Sequence, residues 1–567
     1  MKWKHFVFRT LGNPSVLFYV FLSVLLVPNV LLSITEPMGW MGRLCNVLLP
    51  LSVYWGLLCV SRKTGRTFLW LLPLIFLAAF QIVLLYLFRR SIIAVDMFLN
   101  LVTTNSDEAL ELLGKLMPAI ILVVVLYVPA LVMAGVSAVR RQQLPQTFMT
   151  VARRRFRYLL VTGIGCWIGA VLFEERYDTL SDLYPLNVCY NIGLAVERTA
   201  LTENYTASSQ YFSYGASSLH PADRREVYVL VVGETSRACN WALQGYARPT
   251  NPQLAQMDGC NYFPLTLSES NTTHKSVPML LSPVSAIDYD SIYYRKGVLT
   301  AFREAGFHTA YFSNQRYNHS FIEFFGKEAD RCRFLREEGK NSTRNPSDGE
   351  LLQMVAEELK QQRTKQFIVL HQYGSHFNYR ERYPETAACF LPDSPTDAEP
   401  SNRLTLLNAY DNTIRYTDAF LADLIRMLRQ EQIPAVLLYT SDHGEDIFDD
   451  DRRRFLHASP VPTYYQVHVP FLVWMSEEYR TAYPVQAAAV SANRENPVSS
   501  SASFFHSMLH LAGIQTRYRD DSLSVASSSY SCRPRVYLDD RNVAVPFSEM
   551  DWEEEDWNAF RRYRIAE

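Results

Sequence analysis

The first third of the chain carries five long stretches free of charged residues: Pro14 to Thr35, Leu44 to Ser61, Thr67 to Phe88, Leu116 to Val139 and Tyr158 to Phe173. Roughly 20 apolar residues wound as a helix cross a bilayer, because lipid offers backbone groups no hydrogen-bond partner. The pattern predicts five spans. The fifth is short and framed by Arg153, Arg154, Arg155 and Arg157 on one side and Glu174, Glu175 and Arg176 on the other. From about Ser218 the pattern changes. Apolar runs of strand length, Val227 to Val232, His308 to Phe312, Phe367 to His371, Ala435 to Thr440 and Pro470 to Trp474, alternate with helical patterns. Leu404 to Arg429 is one such helix, with Leu406, Leu407, Tyr410, Ile414, Thr417, Phe420, Leu421 and Leu424 at helical spacing. This alternation predicts an α/β domain whose mostly parallel sheet has helices on both faces.

Composition changes that picture little, because 48% hydrophobic residues over 567 is an average of two unlike parts. Lys and Arg number 55 against 57 Asp and Glu, and a net charge of −2 without a basic stripe excludes nucleic acid as a partner. The placement of charge says more. Lys2, Lys4 and Arg9, then Arg62, Lys63 and Arg66, then Arg140, Arg141 and the Arg153 cluster fall on alternate connections, which puts the N-terminus in the cytoplasm and the α/β domain outside. Arg89 and Arg90 are a mild exception on the outer side, near Asp96, Asp107, Glu108 and Glu111. The first span is long, lacks an A-x-A site and is followed by others, so it is read as retained. The expected divisions are a transmembrane domain over 1–174, a bridging segment over 175–221 and a catalytic domain over 222–567. Of nine cysteines, Cys45, Cys59 and Cys166 lie in spans and Cys189, Cys239, Cys260, Cys332, Cys389 and Cys532 beyond them, with no CxxC pair to hold a metal. An oxidising compartment permits disulfides, but spacing does not pair them.

In parallel sheets, ligands gather beyond the carboxyl ends of the strands. Gly233-Glu234-Thr235-Ser236-Arg237 follows the first run, and Ser441-Asp442-His443-Gly444-Glu445 follows the fourth. His376 comes after the third run, and His457 stands alone in Phe455-Leu456-His457. Between the first two runs, Asn271-Thr272-Thr273-His274-Lys275-Ser276 reads as hydroxyls capping a helix that begins before Val277-Pro278-Met279. Carboxylates with imidazole suit a zinc-type ion, and a metal beside a hydroxyl makes a weak oxygen nucleophile reactive. A helix start adds N–H groups that favour phosphate. Together these features describe metal-assisted phosphoryl transfer. Singly, each has a plainer reading: a solvated turn carboxylate, an N-cap threonine, a hydrogen-bonded surface histidine.

These residues resemble the phosphoethanolamine transferases, integral-membrane members of the alkaline phosphatase and sulfatase superfamily. The resemblance runs over nearly the whole chain. It rests on Val231 to Arg237 with Gly245-Tyr246, Arg248, Thr250, Asn251 and Pro252, on Ser276-Val277-Pro278, on Asn408-Ala409-Tyr410-Asp411-Asn412 and on Ser441 to Glu445. It implies five transmembrane helices and an extracytoplasmic alkaline-phosphatase-like domain, in a bacterial inner membrane with the catalytic domain in the periplasm. It also implies Zn2+ held by Glu234, Thr273, Asp442 and His443, with Thr273 as the nucleophile and His376 and His457 around the substrate phosphate or a second metal. The donor would be phosphatidylethanolamine and the acceptor lipid A phosphate, a core sugar or another envelope glycan.

Departures are visible. Glu269 and Met279 occupy places where many relatives have cysteines flanking the nucleophile, so that disulfide is absent. His319 replaces a lysine that contacts substrate in some relatives. Asn100, Thr104 and Glu108, each rotated by about 40° from the last, share one helical face; it reads either as a solvated side or, by resemblance, as a contact for the donor headgroup. Cys532-Arg533-Pro534-Arg535 lacks the C/S-x-P-x-R register of sulfatases. Phosphoglycerol transferases of the lipoteichoic-acid type share the spans and the ligand set, and a silent anionic-lipid-binding membrane protein is the alternative of another class.

Overall fold

The computed structural model describes residues 13–89, 92–103, 116–336 and 345–565. Two compact units divide the chain, Met1–Phe98 with Leu112–Glu197 in one, and Leu99–Glu111 with Arg198–Glu567 in the other.

The first unit is helical: α1 (Pro14–Thr35), α2 (Trp40–Leu58), α3 (Thr64–Trp70), α4 (Leu72–Phe88), α5 (Met117–Val139) and α6 (Gln146–Phe173). Four of these are long and apolar enough to cross a membrane, and a fifth span results if α3 and α4, bent by 61°, count as one. The bend has a cause in sequence. Pro73, in the first turn of α4, supplies no N–H to continue the ladder. The fifth predicted span begins earlier than its apolar run, because α6 starts at Gln146 and carries Arg153, Arg154, Arg155 and Arg157 within it. Arginine is a good helix former, so those charges end the apolar stretch without ending the helix. Phe18, Phe21, Leu25, Trp55, Phe68 and Ile82 belong to one buried cluster, in which Phe21 stacks on Phe68 at 4.2 Å. A polar knot also joins α1 to α2. Asn29 Nδ2 donates to Asn46 Oδ1 at 3.4 Å and to the Tyr184 carbonyl at 2.8 Å, and Tyr54 donates to Asn29 Oδ1 at 3.2 Å. Glu174 caps α2, accepting from the Met41 and Gly42 N–H groups at 2.7 and 3.2 Å.

The second unit is built on a seven-stranded sheet: β1 (Glu226–Gly233), β2 (Cys260–Tyr262), β3 (His308–Arg316), β4 (Arg331–Arg336), β5 (Lys365–His371), β6 (Ala435–Ser441) and β7 (Phe471–Met475). In space the order is β2-β7-β6-β1-β5-β3-β4. The pairings β6-β1, β1-β5, β5-β3 and β3-β4 are parallel, while β7 runs antiparallel to β6 and β2. The sheet is thus mostly parallel, with an antiparallel edge. β1, β5 and β6 are buried along their whole length, which is why their sequences are near-continuous apolar runs. Helices α7 (Thr273–Leu280), α8 (Gly349–Leu359) and α9 (Arg403–Gln430) carry or flank the loops at the strands' carboxyl ends. All nine cysteines are free.

Candidate functional site

β1 and β6 are neighbours, and their ends place Glu234 beside Asp442 and His443, all three essentially without solvent exposure. The approach is tight: a Cβ on Gly233 would meet the Tyr439 hydroxyl at 2.7 Å. Thr235 turns the chain with φ of 59°, a conformation that is sparse for a β-branched residue and that aims its N–H at Asp442 Oδ1, 3.0 Å away. Asp442 Oδ1 also accepts from the His443 N–H at 2.7 Å. The Asn-Ala-Tyr-Asp-Asn stretch lies on α9 and braces this loop without joining it. Tyr410 donates to the Thr235 carbonyl at 2.8 Å and accepts from the Arg237 N–H at 2.9 Å, and Asp411 accepts from Asn240, Tyr246 and Arg248. Arg237 is buried against Asp449 at 2.6 Å, an ion pair inside the same scaffold.

Thr273 is the first residue of α7. Its Oγ1 lies 3.0 Å from His443 Nε2 and 3.2 Å from Glu234 Oε1. Thr272 occupies the N-cap position, yet its side chain makes no capping bond and its Oγ1 lies 3.1 Å from Ser270 Oγ instead. The capping reading of this pair is therefore corrected, because the hydroxyls are drawn to other partners. Asn271 fixes the segment ahead of the helix, donating to Gln466 Oε1 at 2.6 Å and to the Ser459 carbonyl at 2.8 Å, and accepting from Tyr537 at 2.6 Å.

The electrostatics favour a cation among these groups. His443 Nδ1 is 2.9 Å from the Gly444 carbonyl, which only accepts, so Nδ1 carries the proton and the Nε2 lone pair faces the cluster. Burial, with His457 nearby, holds this imidazole neutral well below its ordinary range. Asp442 Oδ2 sits 3.2 Å from that Nε2, buried and without a hydrogen-bond partner. Burial pushes the Asp442 carboxyl up to about 6. Lone pairs of Glu234, Asp442 and His443 thus converge, with ligand atoms all within 4.8 Å of one another; Glu234 Oε1 also accepts from Thr235 Oγ1 at 2.7 Å, and Asp442 Oδ2 is the oxygen left without a donor. This donor set fits a tetrahedral zinc-type ion.

His376 and His457 line the same place. The His457 ring centroid is 4.2 Å from that of His443 and 6.1 Å from that of His376. His376 donates from Nδ1 to the Phe377 carbonyl at 2.6 Å, and burial, then the proximity of His457, lowers its imidazole to about 3. His457 Nδ1 faces the buried Glu445 carboxylate at 3.4 Å, and its neighbours Leu456 and Ala458 both have positive φ. His319 is exposed on the loop after β3, its N–H bonded to Glu323, and among the described residues no hydrogen bond ties its ring to the cluster. Asn100 falls in helix Val95–Thr103, but its side chain, with Thr104 and Glu108, lies outside the described residues.

Two contributors escaped the sequence reading. Gln315 Nε2 is 3.5 Å from Glu234 Oε2; it is the penultimate residue of a strand whose last four residues are too polar to continue the apolar run, although the strand-end rule leads to it. Asp348 accepts from the Tyr373 and Gly374 N–H groups at 2.9 and 3.0 Å and from Asn314 at 2.8 Å, fixing the loop that presents His376. In that loop Gly374 has φ of 51° and a Cβ there would meet the Glu234 carbonyl at 2.6 Å.

Residues 226–514 match the family described as Sulfatase. Over 312 residues the chain is 31% identical to phosphoethanolamine transferase EptA of Salmonella typhimurium, a match covering 52% of this chain and 55% of that protein. The chain thus spans about half the length of the sequence relatives it matches. Among solved structures, the integral membrane lipooligosaccharide phosphoethanolamine transferase A of Neisseria meningitidis superposes with a TM-score of 0.70 at 23% identity, covering 90% of this chain and 97% of that one. The periplasmic domain of EptC from Escherichia coli, solved as a complex with Zn, gives 0.54 at 23% identity over 60% of this chain and 98% of that one. At these identities the structures establish a shared fold.

Proposed function

This chain belongs to the sulfatase family, and from that premise we propose that its α/β domain transfers phosphoethanolamine from phosphatidylethanolamine to an envelope glycolipid, through a covalent intermediate on Thr273. The acceptor group is a lipid A phosphate or a core sugar. One observation carries the reading: a helix-terminal hydroxyl held between the lone pairs of Glu234 and His443, beside a buried Asp442 oxygen that has no partner. Zinc would be held by Glu234, Asp442, His443 and Thr273. When bound, such an ion lowers the pKa of a hydroxyl and neutralises charge on phosphoryl oxygens.

In the first step the Thr273 Oγ1–P bond forms, its hydroxyl proton passing to solvent, as the P–O bond to diacylglycerol breaks. His457, set against Glu445, is placed to give a proton to the leaving alkoxide and to regain one from the acceptor hydroxyl in the second step, in which the acceptor oxygen bonds to phosphorus, the Thr273 Oγ1–P bond breaks and Thr273 Oγ1 takes a proton from solvent. His376, neutral through burial, orients the phosphoryl group. His319 extends the substrate surface on the β3 side. Asn100, Thr104 and Glu108 hold the donor headgroup, in a bacterial inner membrane whose basic connections face the cytoplasm and whose catalytic domain faces the periplasm.

The test is to incubate the full-length protein with phosphatidylethanolamine and no acceptor, digest it, and map the adduct by mass spectrometry. Phosphoethanolamine on Thr273 is expected, with Thr273→Ala keeping its fold and losing turnover by at least about three orders of magnitude. Thr273→Ser retains part of the activity. An adduct on Thr272, or normal turnover by Thr273→Ala, overturns the reading. Joint replacement of Asn100, Thr104 and Glu108 should slow adduct formation from bilayer lipid while zinc content stays; an unchanged rate removes them from the donor site.

A further inference from the structure

The loop that carries His457 is not held by its own backbone preferences. Leu456 and Ala458, on either side of the histidine, have φ of 66° and 63°, a region that residues other than glycine keep only where their surroundings impose it. Few contacts reach the imidazole, so its place is the place of the loop. Just ahead of it, Phe455–Leu456 pairs antiparallel with Asp446–Ile447.

Beside the loop stands Gln466, fully buried in the short helix Tyr464–Val467. Its carboxamide has two lone pairs and two N–H groups, and all four face partners. Nε2 donates to Asp446 Oδ2 at 2.6 Å and to the Leu456 carbonyl at 3.4 Å. Oε1 accepts from Asn271 Nδ2 at 2.6 Å and faces the Ser459 hydroxyl at 3.0 Å, whose proton also has the Val461 carbonyl at 2.8 Å. Asp446 is anchored in turn, its Oδ1 accepting from Thr463 at 2.8 Å, and Asn271 also donates to the Ser459 carbonyl at 2.8 Å. The Gln466 main chain joins the same set, since its carbonyl accepts from the Gly444 N–H, next to His443, at 2.8 Å. One buried amide thus touches the residue before His457, the second residue after it, and Asn271, two residues ahead of Thr273. An apolar side chain of that size would fill the space without the cost of burying an amide, so packing alone gives no reason for glutamine there.

We propose that Gln466 is a positioning residue that sets the separation between Thr273 and His457, so that the imidazole reaches the oxygen that leaves as the Thr273 Oγ1–P bond forms. Its bonds go to protein groups, so it acts through the His457 loop and not on the substrate. The inference rests on the transfer reading above, and its own test separates the two.

The experiment measures the rate of adduct formation on Thr273 of the full-length protein in micelles, without acceptor, from two donors. Phosphatidylethanolamine loses a diacylglycerol alkoxide, which needs a proton; the p-nitrophenyl ester of phosphoethanolamine loses nitrophenolate, which leaves as a stable anion. With either donor the Thr273 proton passes to solvent and the Oγ1–P bond replaces the bond to the leaving oxygen. Gln466→Met, of similar size, removes all four side-chain contacts. It should slow the adduct from phosphatidylethanolamine about a hundredfold and that from the nitrophenyl ester less than about threefold, with zinc content as in the parent. Gln466→Glu keeps the oxygen that Asn271 uses and loses both donors; it should discriminate between the two esters in the same sense, and it carries the comparison if the methionine variant does not fold. In a His457→Ala background, already slow with phosphatidylethanolamine, adding Gln466→Met should cost less than about threefold more, because the group it positions is gone. Equal slowing with both donors, loss of zinc, full additivity with His457→Ala, or a parental rate from phosphatidylethanolamine would each overturn the assignment. Absence of any adduct from phosphatidylethanolamine in the parent defeats the transfer reading instead.

Discussion

On one flank of the candidate site, two strand ends are tied to each other and to α9 by a dense set of bonds: Thr235 N–H to Asp442, Ser236 N–H to Ser441, and Tyr410 bridging Thr235 and Arg237. On the other flank, the His376 side chain is held through one bond to its neighbour's carbonyl and a ring stack, and His457 through one long contact with Glu445 and ring contacts with His443 and His376. The ligand flank is over-determined, as an ion site requires when charges must be held together against their repulsion. The histidine flank is set by few contacts, which suits groups that exchange protons with successive substrates.

The largest effect should come from breaking the ligand flank. Asp442→Asn removes a buried carboxylate oxygen that has no protein partner. Zinc content, measured by elemental analysis, should fall from near stoichiometric to near zero, and transfer should fall with it. Thermal unfolding gives the second half of the prediction. Zinc should raise the parent's melting temperature by mass action and leave the variant's unchanged. Without metal the variant should be at least as stable as the parent, since an amide costs less to bury there than a carboxylate. A metal-free variant distinctly less stable than the metal-free parent would mean that Asp442 is a structural residue.

A smaller effect separates the flanks. Asp348→Asn keeps one oxygen but sets an amide N–H against one of the two N–H groups, Tyr373 or Gly374, which bond to different carboxylate oxygens, and so loosens the His376 loop. Loss of one such positioning contact should lower kcat by about tenfold to a hundredfold, with donor KM and zinc content close to the parent's. Zinc loss equal to that of Asp442→Asn would show that the two flanks are one rigid unit and that their contrast is only apparent.

What could be read in the sequence follows the same contrast. Strands buried on both faces wrote themselves as apolar runs, so β1, β5 and β6 and the carboxylates after them were legible. The edge strands were not: β2 has three residues, and β4, Arg-Cys-Arg-Phe-Leu-Arg, has the polarity of a loop. Asp348 acts from the long connection between β4 and β5, where side-chain convergence is a property of tertiary structure and leaves no periodic trace. The bracing role of Tyr410 was hidden for another reason, since an apolar-face tyrosine on a helix reads equally as core. In the membrane unit, hydropathy located the spans but not their helical ends, because α6 continues through four arginines.

The smallest expected effect concerns Glu269, four residues ahead of Thr273 in the chain. Its carboxylate is buried, accepting from the Ala286 N–H at 2.9 Å, and burial, with Asp288 adding, raises it from 4.5 to about 7. Because the native value lies above the unfolded one, the folded protein binds more protons across that window. Stability is then greatest below the unfolded value and declines as pH rises toward about 7, after which this group contributes no further change. Glu269→Gln keeps the shape and an acceptor for Ala286 but cannot titrate. The melting temperature of the variant should therefore fall less than the parent's between about pH 5 and pH 8. Parallel curves would mean that Glu269 is hydrated in solution, and that the segment leading to Thr273 is looser than its bonds to Gln466, Ser459 and Tyr537 imply.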